Sequence, residues 1–272
     1  MLDRRSFLLV SVPPLLPLPD SRAKAGEVLR VGGTGGATAL LAHLGKPFTR
    51  RTGIGVEVVR SLGSSGGIAA AADGLLDLAV AGRPLSAAEI GRGMVPGARL
   101  RTPYVFATSL RAPPGMTEGE IVAAFAAAKA MWPDGIPIRP VLRPRAESDN
   151  QVLIALFPGM AAALDAARQR AELPVAATDQ DNADTAEGLQ GSLIGTTLTQ
   201  MIMERRDLRL IAIEGVAPTA EALERGTYRP EKVLYFVHPR QPSASAARFM
   251  EFLGTNEGVR TLREAGCLPG SD

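Results

Sequence analysis

Apolar positions along the chain recur in two rhythms, one extended and one helical. Leu29 and Val31 flank Arg30 in a short extended run, and Leu40, Leu41, Leu44 and Phe48 then recur three and four apart. That pattern predicts a strand followed by a helix over 37–53. VEVVRSL (56–62) predicts a second strand, GIAAAADGLL (67–76) a helix, and DLAVAG (77–82) a buried strand. Ser86 stands where it caps the helix that follows.

The rhythm changes near Arg101. LRTPYVFATSL (100–110) is a β-branched and aromatic extended run, and TEGEIVAAFAAAKAMW (117–132) is helical, with Thr117 and Glu120 spaced as a capping box. IPIRPVLRP (136–144) reads as extended, RAESDN (145–150) as a polar turn, and QVLIALFPGMAAALDAARQRA (151–171) as a helix. PVAATD (174–179) and SLIGTTL (192–198) predict strands around NADTAEGLQ (182–190). LRLIAIEG (208–215) and EKVLYFVHP (231–239) predict two more, and residues 244–266 an amphipathic helix pair. The alternation predicts an α/β chain of two lobes joined by extended crossings, each lobe a mainly parallel sheet flanked by helices.

Two turns of small residues fall where a strand hands over to a helix: Gly32-Gly33-Thr34-Gly35-Gly36 and Gly63-Ser64-Ser65-Gly66-Gly67. The first lacks the final glycine of a dinucleotide fingerprint. Two chemistries fit the second. A helix N-terminus offers unpaired N–H groups and partial positive charge, so the turn reads as an anion cradle with serine donors. The same letters spell G-x-S-x-G, which in a hydrolase presents a nucleophile, here Ser65 with His238 as base. The hydrolase reading finds no H-G-G-G-type oxyanion segment before the serine, and His238 is followed by Pro239 at a strand end. Plain strand–helix turns and N-caps are the bland alternatives.

Composition narrows the classes. Of 272 residues, 46% are hydrophobic and 21% charged, which suits a buried core and not a disordered polyelectrolyte. Aromatic residues make up only 4% and do not interleave with basic ones, so no stacking platform for nucleic acid is present. A single cysteine, Cys267, forms no internal disulfide, and two histidines, His43 and His238, make a histidine-rich metal site unsupported. Residues 1–25 have a basic start at Arg4-Arg5, an apolar middle and an Ala23-Lys24-Ala25 ending, the pattern of an export signal, with a twin-arginine variant open. Cleavage after Ala25 would remove four basic and two acidic residues, leaving 26 of each and no net attraction to nucleic acid.

GSSGGIAAAADGLLDLAVAGRPLS, LQGSLIGTT, LYFVHP and FMEFLGTNEGVRTLREAGCLP together resemble the phosphate-binding receptors of bacterial ABC importers, of the type II periplasmic binding protein fold. The resemblance runs over nearly the whole exported chain. It implies a periplasmic protein without catalysis or cofactor, capturing a small oxyanion between lobes that close and dock on a membrane permease. The protein is expected to be a monomer. The lobes it implies are 26–108 with 205–272, and 109–204, with crossings near 105–110 and 200–206. Its anion groups fall here on Thr34, Gly35, Ser64 and Ser65, with Arg83 beside Gly82, where the phosphate receptors carry an aspartate. Its second-lobe signature falls on RAESDN, so Ser148 and Asn150 stand for its serine and threonine, and Arg143 or Arg145 for its arginine. These two arginines lie on opposite faces of an extended run, so one of them at most faces a cleft. Glu147 and Asp149 depart from the family pattern: either one of them replaces the lost aspartate as acceptor, or they signal a different ligand, larger or carrying a cation or amine. A receptor serving a signalling partner, for another anion or small metabolite, remains an alternative.

Overall fold

The computed structural model describes residues 26–60 and 62–270. The signal read over residues 1–25 lies outside them. β1 (Val28–Gly33) runs through a short 3-10 turn, Gly35–Ala37, into α1 (Thr38–Thr52), whose Leu40, Leu41, Leu44 and Phe48 are all buried. β2 (Gly55–Val59), α2 (Gly63–Ala72), β3 (Leu78–Ala81) and α3 (Ala87–Gly91) follow. Ser86 caps α3 in a full capping box with Glu89. The long β4 (Met94–Thr108) leads to α4 (Glu118–Ala126), which opens on the expected Thr117–Glu120 capping box.

Next come β5 (Arg139–Pro140), α5 (Ser148–Leu156), α6 (Met160–Ala167) and α7 (Asp179–Gly188). The helix expected over 151–171 is therefore two. Phe157 precedes Pro158 and takes extended angles, because the proline ring crowds the helical conformation of the residue before it. PVAATD is not a strand. Val175 makes one bridge to Leu142, and Thr178 already caps α7. β6 (Ser192–Thr197), α8 (Leu198–Glu204), β7 (Arg209–Leu210), α9 (Ala220–Glu224), β8 (Glu231–Pro239), α10 (Ala244–Leu253), α11 (Asn256–Glu264) and β9 (Leu268–Pro269) complete the chain.

The strand order is β2-β1-β3-β8-β4-β6-β5. β1 pairs parallel with β2 and β3, and β5 with β6, whereas β8 and β4 run antiparallel to their neighbours. β4 belongs to both lobes. Its Met94–Pro103 portion pairs with β8, and Tyr104–Ala107 pairs with β6. Each lobe has its own core. In the first, Phe48 meets Phe249 edge-on at 5.0 Å between Leu29, Val31, Phe236 and Phe252. In the second, Phe106 meets Phe157 at 5.4 Å among Ile121, Phe125, Trp132 and Leu164. Ile211, Ile213, Ala222 and Tyr228, placed by sequence in the first lobe, pack in this second core. Alternation along β4 sends Tyr104 and Phe106 to that core and Val105 and Ala107 to the opposite face with Ile194 and Leu198.

GSSGG is not a turn ahead of a helix but the first part of α2 itself. Gly67 explains one of its glycines. A Cβ there would stand 2.6 Å from Gly33 Cα, so α2 lies this close on β1 only because Gly67 is bare.

Candidate functional site

The 3-10 turn that leads α1 faces the start of α7 across the lobes. Between them lies a cavity of about 120 Å³ lined by Thr34, Gly35, Leu62, Gly63, Arg143, Glu147, Ala177, Thr178 and Asp179. The Gly36 N–H donates to Asp179 Oδ2 at 2.7 Å, and Gln180 Nε2 donates to the Gly35 carbonyl at 3.1 Å. Gly35 has to be bare for this contact, since a Cβ there would stand 2.7 Å from the same Asp179 oxygen. Arg143, only 6% exposed, donates to the Thr178 carbonyl and lies 3.5 Å from Asp179 Oδ1 and 3.4 Å from Glu147 Oε2. Its Nε is buried with no partner.

Behind this contact lies a buried ionic cluster. Lys232 Nζ, on β8, donates to Asp149 Oδ1 at the start of α5, with both side chains almost wholly enclosed. The Asp149 and Asp179 carboxyl groups lie close enough for each to act on the other's ionisation. Burial pushes both carboxyls up, but Lys232 and Arg143 outweigh it at Asp149 and hold it below the ordinary range. At Asp179 burial and the Asp149 charge prevail, and it stays above that range. Burial would lower Lys232, yet the two carboxylates keep it raised. The Tyr104 hydroxyl, also buried, has no partner.

The structure brings Thr34, Gly35 and Arg143 to the cavity, sets Ser148 against Gly82 across the lobes, and turns other predicted residues elsewhere. Ser64 Oγ accepts from the Gly82 N–H at 2.9 Å, tying α2 to the end of β3. Arg83 forms a two-pronged pair with Glu89 and donates to Ser65 at 2.8 Å, which pulls the Glu89 carboxyl down to about 2. Arg145 is exposed and pairs with Asp165, so Arg143 is the inward arginine. Asn150 donates to the Pro144 carbonyl and accepts from Arg168, bracing the base of α5. At Gly82 a Cβ would stand 2.9 Å from Lys232 Cε and 3.0 Å from Ser148 Oγ. Lys232 thus fills the room an aspartate side chain would need. Asp149, offered as a replacement acceptor, is engaged by Lys232.

Asp179 and Lys232 were not singled out from the sequence. Lys232 left a signal, because strict alternation in EKVLYFVHP puts it on the buried face with Leu234 and Phe236. Asp179 left none beyond its place in a helix's first turn. The hydrolase alternative finds no Ser–His contact among the described residues. Ser65 accepts from Arg83, and His238 Nδ1 lies 2.7 Å from the Pro239 carbonyl. Among those residues no group of three or more His, Cys, Asp and Glu side chains is placed to hold a metal ion, and no helix is long and apolar enough to cross a membrane.

Two α/β lobes, strands crossing between them, and charged side chains from both converging in a buried cleft define a bilobal binding-protein architecture. The chain belongs to the PBP superfamily, whose domain matches residues 20–257. Its fold is similar to that of a protein described as a phosphate ABC transporter substrate-binding protein from Clostridium perfringens, solved with phosphate bound. That likeness has a TM-score of 0.77 at 15% identity and covers 90% of this chain and 100% of the other. It is also similar to an ABC-type phosphate transport receptor from Vibrio cholerae (TM-score 0.60, 14% identity, 88% and 99% covered). A periplasmic molybdate-binding protein from Azotobacter vinelandii is a third (TM-score 0.58, 17% identity, 89% and 100% covered). No curated protein matches the chain by sequence.

Proposed function

We propose that this is an extracytoplasmic solute-binding protein that captures a small tetrahedral oxyanion, phosphate first among them, between its lobes and delivers it to an ABC permease. The observation that carries the reading is the cradle at the start of α1. The Gly36 N–H and the Arg143 guanidinium converge there on one carboxylate, the first at Oδ2 and the second near Oδ1, and in this structure that carboxylate is the chain's own Asp179. A helix start and an arginine are the donors suited to a desolvated oxyanion. A cavity of about 120 Å³ is far below the ~300–1,000 Å³ of drug-sized sites, which suits a small anion better than a sugar or peptide.

The lobes then hinge where β4 leaves β8 for β6, at Pro103–Tyr104, and where the chain returns at Tyr228–Glu231. There the Tyr104 N–H donates to the Pro230 carbonyl and the Tyr228 hydroxyl to the Tyr104 carbonyl. These neighbouring extended crossings are where one lobe would turn on the other. In this reading the protein works outside the cytoplasm as a single chain meeting its permease, which the export pattern over residues 1–25 and the superfamily match support. A thermal-shift panel tests this with phosphate, sulfate, molybdate, phosphonates and small carboxylates. A true ligand at 100 times its Kd adds about 2.7 kcal/mol of stability. A flat panel refutes the oxyanion reading. A response to an anion other than phosphate keeps the mechanism and changes the ligand.

A further inference from the structure

We propose that Asp179 is the cleft's own anion: its carboxylate stands in for the ligand between Gly36 and Arg143, draws the lobes together when no ligand is present, and has to be released before an external oxyanion binds. The inference rests on the oxyanion reading above and adds a regulation to that site.

Four observations carry it. The carboxylate bonds across the lobes, from the start of α7 to the Gly36 N–H, at 2.7 Å in a buried setting. Helix α7 does not need it, because Thr178 and Asp181 already complete the capping box at that end. The Arg143 guanidinium lies 3.5 Å away, and its buried Nε has no partner, so the arginine retains capacity for another acceptor. Finally, Asp179 lies beside the Asp149 carboxyl, an arrangement in which both cannot carry full charge without cost. A carboxylate kept for stability would not be set against a second one. A carboxylate meant to leave would be.

Displacement is then coupled to protons. The charged and titratable groups facing Asp179 are Arg143 and Asp149 from the second lobe, Lys232 from β8 and Tyr104 from β4. Burial and Asp149 keep Asp179 above the ordinary carboxylate range, so acid neutralises it first and weakens its hold on Gly36 and Arg143. An external anion therefore binds more tightly as pH falls.

The test is calorimetric titration of the wild-type protein and Asp179→Asn with inorganic phosphate and with sulfate, whose charge is constant between pH 5.5 and 8. If the self-bound form holds nine-tenths of the ligand-free molecules, removing its charge tightens binding about tenfold at pH 8. The sulfate advantage of Asp179→Asn then shrinks at pH 5.5. Asp179→Ala, which removes the competing oxygen altogether, gives an effect at least as large, and melting curves of both variants confirm folding. Equal or weaker binding by the variants, beside wild-type binding of phosphate, overturns the competitor role and leaves the oxyanion function standing. Absence of binding to either anion by every protein overturns both.

Discussion

Replacing Lys232 by Met tests the buried cluster most directly. Met keeps most of the lysine's apolar stem and removes its charge, so the cavity left behind is small. What changes is Asp149, which loses its contact partner while remaining enclosed beside Asp179, with side-chain exposures of 3% for Lys232 and 5% for Asp149. Breaking a buried pair from one side costs about 3–5 kcal/mol. That is a large part of the ~5–15 kcal/mol that holds a typical domain together. At roughly 2–4 °C per kcal/mol for a chain of this size, the melting point should fall by about 6–20 °C at pH 8.

The pH dependence gives a second signature. In the wild type Asp149 is held below its ordinary value, so its contribution is present above about pH 4 and lost as pH falls through the folded value. Without Lys232, burial prevails and the carboxyl moves up, so the variant gains proton affinity on folding. Its deficit should then be smaller at pH 5 than at pH 8. Scanning calorimetry at the two pH values measures both effects. A loss under about 1 kcal/mol at pH 8, or an equal loss at both, would refute a buried ionic pair. Replacing both partners by apolar residues should recover much of the loss, since a hydrophobic pair often equals a buried ionic one.

Other consequences follow from the same geometry. Arg83→Ala should leave phosphate affinity within about twofold and cost about 0.5–1 kcal/mol, because Arg83 braces a partly exposed loop through Glu89; Arg143→Lys should weaken phosphate binding tenfold or more through loss of the planar fork, and calorimetric titration reads both. Asp179 has a raised folded value, so the stability it contributes is fully present below about pH 4 and lost as pH rises through that value; Asp179→Asn should flatten this part of the melting-temperature profile. Gly67→Ala should cost about 1–3 kcal/mol in urea unfolding, since its Cβ would press on Gly33 backbone 2.6 Å away. Trp132 is 2% exposed, with its Nε1 donating to the Gly191 carbonyl, so its fluorescence should follow unfolding and stay unchanged on adding phosphate.

Local chemistry was legible before any coordinates. Capping boxes at Ser86 and Thr117, the period of Leu40, Leu41, Leu44 and Phe48, and the alternation of EKVLYFVHP depend on neighbours a few residues away, and these elements stand where the pattern put them. So did the α/β class, which follows from the order of such elements. Where the local signal was divided, packing decided. PVAATD has strand-like composition yet makes one bridge, because the chain turns at once into α7. The split of the 151–171 helix was written in Phe157-Pro158 and went unread.

The cleft lay further from the sequence's reach. It draws Gly36, Gly82, Arg143, Asp149, Asp179 and Lys232 from segments up to about two hundred residues apart, and no local rule says which of them meet. The sequence named small donors at strand–helix junctions and two arginines on opposite faces. Only the tertiary structure chose Arg143, committed Arg83 to Glu89, and set an aspartate of one lobe on the helix start of the other. The reason is physical: propensity and capping act over one turn, whereas the charge and desolvation that govern this cleft are determined by whatever the fold brings within a few ångströms.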